Sequence, residues 1–152
     1  MSLIARDGNG AQQILATAGG DGLTAATGFV GANGVVCPGT PIYGGAASGG
    51  AAPAVATLVI PAAKMGYIDG FDLDGLGATA GSAIAVTIAG LLGGTLTFQV
   101  GIPAGVTVPF SLSRRFNPPL QASAVATNIV VTAPSFGAGN TQSSCNAYGH
   151  YF

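Results

Sequence analysis

The sequence predicts an all-β protein: an antiparallel β-sandwich of about eight strands, with the jelly roll as its leading arrangement, behind a glycine-rich N-terminal arm that holds a short hairpin. Three observations lead there. From Val55 onward, apolar residues recur with a period of two, the mark of strands with one buried face. Glycine numbers 26 in 152 residues and Glu does not occur. Glycine is costly inside helices, and Glu and Lys are the usual exposed helix formers, so long helices are not expected. Turn residues punctuate the apolar runs, and nothing of helical period lies between them.

The elements follow in order. Residues 2–16 read as a hairpin around Asp7-Gly8-Asn9-Gly10, whose Asp-Gly and Asn-Gly pairs favour tight turns with positive φ. Residues 18–53 are dense in glycine and end in linker composition at 44–53. Phe29-Val30 and Val35-Val36-Cys37 are apolar enough to dock, so residues 1–53 are read as an arm lying on something, and 54–152 as the sandwich. Leu58 and Ile60 begin the alternation. Next, Tyr67, Asp69, Phe71 and Leu73 are expected on one face of a strand, with Ile68, Asp72 and Asp74 on the other. Ile84, Val86 and Ile88 mark another strand, Leu96, Phe98, Val100 and Ile102 the next, and Val106, Val108, Phe110 and Leu112 the one after. Gly90–Gly94 and Pro103–Gly105 are turn chemistry joining them as a meander. Further strands are expected at 120–125, 128–133 and 144–152. Pro109 belongs at an edge or a bulge, where its missing N–H does no harm.

Charge narrows the function. Four Lys+Arg and five Asp make charged residues 6% of the chain, with net charge −1, against about 25% in ordinary soluble domains. A monomer keeps itself dispersed with a mixed charged surface, so much of this surface is expected to be covered in an assembly. Residues 75–113 carry no charge, yet Gly90, Gly93, Gly94 and Gln99 interrupt the apolar run. No continuous span of about 20 apolar residues results, and no membrane segment is expected. The start, Met1–Asp7, lacks a basic region followed by an apolar stretch, so no signal peptide is expected. Cys37 and Cys145 have no metal-type spacing, and two buried free thiols are favoured over a disulfide.

Candidate chemistry is sparse. Asp72 and Asp74 share a strand face and offer oxygen ligands, but a calcium loop needs more acceptors and a closing Glu. No metal and no cofactor is expected. The sole histidine, His150, lies five residues after Cys145, with no third group in sequence to orient a nucleophilic pair. A terminal strand carrying aromatics into the sandwich is the preferred reading, and no catalytic residue is assigned. Four basic residues, at 6, 64, 114 and 115, make no extended basic face, so nucleic acid is not an expected partner. Arg114 and Arg115 are adjacent and should point to opposite faces. One is expected to reach Asp69, Asp72 or Asp74 and the other a neighbouring subunit, with Asn117-Pro-Pro ending the strand. The interface candidates are Arg6, Asp7, Phe29 and Tyr43 in the arm, and Asp69, Asp72, Asp74, Arg114 and Arg115 in the sandwich.

Four stretches also carry a resemblance: Tyr67-Ile-Asp-Gly-Phe-Asp-Leu-Asp-Gly-Leu-Gly-Ala-Thr-Ala, Leu91-Leu-Gly-Gly-Thr-Leu-Thr-Phe, Arg115-Phe-Asn-Pro-Pro-Leu-Gln-Ala-Ser and Pro134-Ser-Phe-Gly-Ala-Gly-Asn-Thr. Together they resemble small structural proteins of tailed bacteriophages, and within that group capsid decoration, or cement, proteins. Ala5-Arg-Asp-Gly-Asn-Gly-Ala-Gln-Gln-Ile-Leu is similar to the start of other phage virion β-proteins. The resemblance implies a β-sandwich, often trimeric, made in the bacterial cytoplasm. It would sit on the capsid exterior and stabilise the shell of the major capsid protein. It brings no catalytic residues. A head fibre, neck or tail protein and a glycan-binding jelly-roll module are the alternatives, with a hydrolase last.

Overall fold

The structure, a computed structural model, describes residues 39–49 and 52–152 in full, and before them only four strands. Two compact units divide at Gly39/Thr40. In the first, β1 (Leu3–Arg6) pairs antiparallel with β2 (Gln12–Ala16), which is the expected hairpin. There too β3 (Phe29–Val30) pairs with β4 (Val36–Cys37).

The second unit is built from eight strands: β5 (Thr40–Ser48), β6 (Ala54–Leu58), β7 (Gly66–Leu76), β8 (Ser82–Ala89), β9 (Leu96–Ile102), β10 (Pro109–Gln121), β11 (Ile129–Ala133) and β12 (Ser143–Tyr151). They form two four-stranded sheets packed face to face, sheet I in the order β10-β7-β12-β5 and sheet II in the order β6-β11-β8-β9. Every ladder is antiparallel. Successive strands alternate between the sheets, except that β8 and β9 stay together as a hairpin across Gly90–Gly94. The turn at Pro103–Gly105 therefore crosses from sheet II to sheet I and does not continue a meander.

The alternating pattern places the core. Ala54, Ala56 and Leu58 of β6, Val86 and Ile88 of β8, and Ile129, Val131 and Ala133 of β11 all point between the sheets. Ile68, Phe71 and Leu73 of β7 and Cys145 and Ala147 of β12 meet them from sheet I. Phe71, Phe98 and Phe116 cluster with ring centroids 5.7 to 6.3 Å apart. Such aromatic contacts add to the area they bury.

Three expectations are corrected. The stretch 40–48, read as arm, is β5, an edge strand of sheet I that pairs with β12 from Thr40↔Tyr151 to Ser48↔Ser143. Second, β10 does not end at Asn117, and there is no separate strand at 120–125. Its register jumps from Arg115↔Gly70 to Leu120↔Ile68, looping out Phe116–Pro119, and pairing resumes. Third, β7 does not keep one parity. Against β12 the register steps from Tyr148↔Gly70 to Gly149↔Ile68, so Asp69 is an extra residue. An inserted residue reverses which side chains face the core beyond it. Ile68, Phe71 and Leu73 therefore all point inward, while Tyr67, Asp72 and Asp74 lie on the outer face. Pro109 sits on the edge strand β10, as expected.

Candidate interaction surface

Cross-strand register assembles the outer face of sheet I. Tyr43, Tyr148, Gly70 and Arg115 form one row across all four strands. A second row holds Asn146, Asp72 and Ser113, and a third Ser144, Asp74 and Ser111. On the far side of the first row, His150 lies opposite Tyr67.

Two stacks are built on this face. In the first, Gly70 lacks a side chain, so the Tyr148 ring lies down across β7. A Cβ at Gly70 would sit 2.5 Å from the Tyr148 hydroxyl oxygen and 2.7 Å from its Cε2, and against the Arg114 carbonyl oxygen. The Tyr148 hydroxyl donates to the Arg114 carbonyl at 3.1 Å, with Asp72 Oδ1 a longer acceptor at 3.4 Å. The Arg115 guanidinium carbon lies 3.7 Å above the ring centroid, a cation–π contact worth about 0.5–1 kcal/mol at an exposed site.

The second stack joins three rings. His150 lies parallel to Tyr67 at 5.2 Å with an interplanar angle of 9°. Phe152 meets both rings edge-on, at 5.7 and 5.3 Å. His150 Nδ1 is 3.1 Å from Asp69 Oδ2; a carboxylate only accepts, so Nδ1 carries the hydrogen. The extra residue in β7 thus delivers the carboxylate that orients an otherwise buried imidazole.

The arginines depart from expectation. Arg114 is opposite Phe71 and Arg115 opposite Gly70, so they do point to opposite faces. Neither reaches an aspartate: among the described residues, the one ion-pair distance is that of His150 and Asp69. Arg115 is occupied by an aromatic ring instead. Tyr43 is 79% exposed, and Asp74 is also exposed, beside a groove of about 750 Å³ lined by Phe110, Ser111, Gln142 and Ser144. Asp7 lies outside the described residues, and of Arg6 and Phe29 only the strand backbones are described.

Cys145 and His150 do not pair. The thiol points into the core and is fully buried, and burial pushes it up to about 11, far from the range of a thiolate nucleophile. Among the described residues, no three metal-ligating side chains converge. Compared with protein-family models, curated proteins and solved structures, the chain matches none.

The charges divide the sandwich. Asp69, Asp72, Asp74, Arg114, Arg115 and His150 all lie on strands of sheet I, whereas β6, β8, β9 and β11 carry no charged residue. The outer face of sheet II is a plain of Val55, Thr132, Thr87 and Thr97 in one row, with Thr57, Val130 and Ala89 beside it. Sequence reasoning missed the His150–Asp69 and Tyr148–Gly70 arrangements. The alternation Tyr148, His150 on a terminal strand is the signal that could have suggested an outward aromatic row.

Proposed function

We propose that the protein is a non-enzymatic structural component of a tailed-bacteriophage virion: a decoration protein, working as a homo-oligomer, that docks on the outer surface of the major capsid protein shell and stabilises it. The observation that carries the reading is the division of the sandwich. Asp72, Asp74 and Arg115 share the outer face of sheet I with exposed Tyr43, while the strands of sheet II carry no charge, and the outer face of sheet I is the one assigned to the shell. Tyrosine and arginine are enriched at the centres of protein interfaces, and Arg115 is held flat and ready by Tyr148. The strand orders β10-β7-β12-β5 and β6-β11-β8-β9 support reading the sandwich as a jelly roll, an architecture frequent in virion proteins.

The mechanism is linkage. A partner that binds the assembled shell and not its dispersed subunits raises the shell's stability by mass action. Purified shells are expected to melt at higher temperature with the protein than without it. Tyr43→Ala and Arg115→Glu should each weaken shell binding while the sandwich stays folded. Equal shell melting with and without protein removes the reading. Copy number per particle separates a decoration protein from a head fibre, neck or tail component. A glycan-binding module is the second reading, favoured by exposed Tyr43 beside Asn146 and Asp72; silence on a glycan array would eliminate it.

A further inference from the structure

We propose that two copies of the chain join through the edge of β9 that no other described strand pairs with, making sheet II continuous across a two-fold axis at Gln99. This deepens the homo-oligomer part of the reading above and stands or falls independently of the capsid.

Each sheet has two edges, and an exposed edge is a template for pairing unless something guards it. Among the described residues, the edges are β10 and β5 in sheet I, and β6 and β9 in sheet II. Three of them are guarded. β10 carries Pro109, Arg114, Arg115 and the looped-out Phe116–Pro119. β5 carries Pro41, and β6 has only 5 residues. β5 and β6 also close their side of the sandwich, since a Cβ on Gly44 would collide with the Thr57 carbonyl. β9 has none of these devices. Its 7 residues, Leu-Thr-Phe-Gln-Val-Gly-Ile, include no proline and no charge, and they pair with β8 without a register shift.

The side of the sandwich next to β9 is also incompletely covered. Phe98, Leu112, Phe116 and Leu120 are only partly buried against the core. Leu92 is 65% exposed and Leu96 39%, and both line a groove of about 390 Å³ with Leu91, Pro119 and Leu120. A second β9 laid alongside would satisfy the free backbone groups and cover this apolar rim.

The occupant is identified by self-complementarity. For a continuous sheet, core-facing residues must lie beside core-facing residues, so an antiparallel pair must be centred on a residue. Gln99 is the middle of β9. Centred there, Phe98 lies beside Val100 of the second copy and Leu96 beside its Ile102. Thr97 lies beside Gly101, and Gln99 meets its own equivalent, where two side-chain amides bond to each other. A two-fold contact of this kind uses one patch twice. Because β10 is guarded, sheet I does not extend with it.

The test uses the full chain. Sedimentation equilibrium of the wild type should give an even multiple of the chain mass. Gln99 is exposed on the outer face, so Gln99→Lys and Gln99→Glu leave the fold intact but place like charges opposite each other at the axis. Each should weaken association by roughly fivefold or more, and mixing the two variants should restore it as a heterodimer. In the wild type, amide exchange at 96–102 should slow as concentration rises. A monomer at every concentration, an odd-numbered oligomer, or association unaffected by both substitutions with no concentration dependence at 96–102 overturns the proposal.

Discussion

Gly70→Ala is the sharpest probe of the outer face of sheet I. The added methyl would lie 2.5 Å from the Tyr148 hydroxyl oxygen and 2.7 Å from Cε2, and against the Arg114 carbonyl. The carbonyl belongs to the β10 backbone and gives way only if β10 shifts locally, and the Tyr148 ring must also lift off β7. Overpacking of this kind costs about 1–3 kcal/mol. Lifting the ring also breaks the hydroxyl bond to Arg114 and the Arg115 stack, each worth about 1 kcal/mol. The stiffer unfolded chain of an alanine variant returns about 0.4–1 kcal/mol. A net loss of about 2–5 kcal/mol follows, seen in urea as a lower midpoint at unchanged m-value. Gly93→Ala is the control, because nothing lies within 4 Å of its Cβ position. In a Tyr148→Ala background, the cost of Gly70→Ala should shrink by about 1 kcal/mol or more, reporting the coupling between the two positions. If Gly70→Ala costs no more than Gly93→Ala, or its cost is unchanged without the tyrosine ring, the stack does not shape this face.

Other outcomes are expected at single sites. Phe71→Ala empties the centre of the aromatic cluster and should cost about 3–5 kcal/mol in a denaturant titration. Asp69→Ala leaves His150 Nδ1 buried without its partner and should cost about 1–3 kcal/mol, whereas exposed Asp74→Ala should stay within about 0.5 kcal/mol. Cys145 should resist alkylation in the native protein at pH 8 and react on unfolding. Its thiol is raised from 9.0 to about 11, so between these values the unfolded chain has lost the proton that the folded chain keeps. Cys145 therefore lowers stability as pH rises through that window, and Cys145→Ala should flatten the fall in melting temperature between pH 9 and 11.

Period-two patterning was sufficient where strands are regular. β8 and β9 were readable from Ile84, Val86 and Ile88 and from Phe98 and Val100, because each keeps one parity throughout. It failed at β7, where Asp69 is inserted. Nothing in Tyr67-Ile-Asp-Gly-Phe distinguishes an inserted residue from a paired one, and every assignment on one side of it was reversed. It failed again at β5, whose Gly-Gly-Ala-Ala has the composition of a linker. That stretch is a strand because β12 supplies its ladder and because Gly44 admits the close approach of β6. The arginines misled for a related reason. Scarce opposite charges suggest ion pairs, but the glycine opposite Arg115 let a tyrosine ring reach it first.

The position of β12 has a consequence for how the chain acquires its fold. Sheet I runs β10-β7-β12-β5, so the last strand in sequence lies between the first and third strands of the sandwich. Thr40 finds its partner only when Tyr151 has been made. On the ribosome, β5 must wait as an unpaired, glycine-rich strand while sheet II can already assemble from β6, β8, β9 and β11. Contacts so distant along the chain close slowly. Completion of sheet I depends on β12, and so do both aromatic stacks of its outer face, since Tyr148 and His150 are β12 residues.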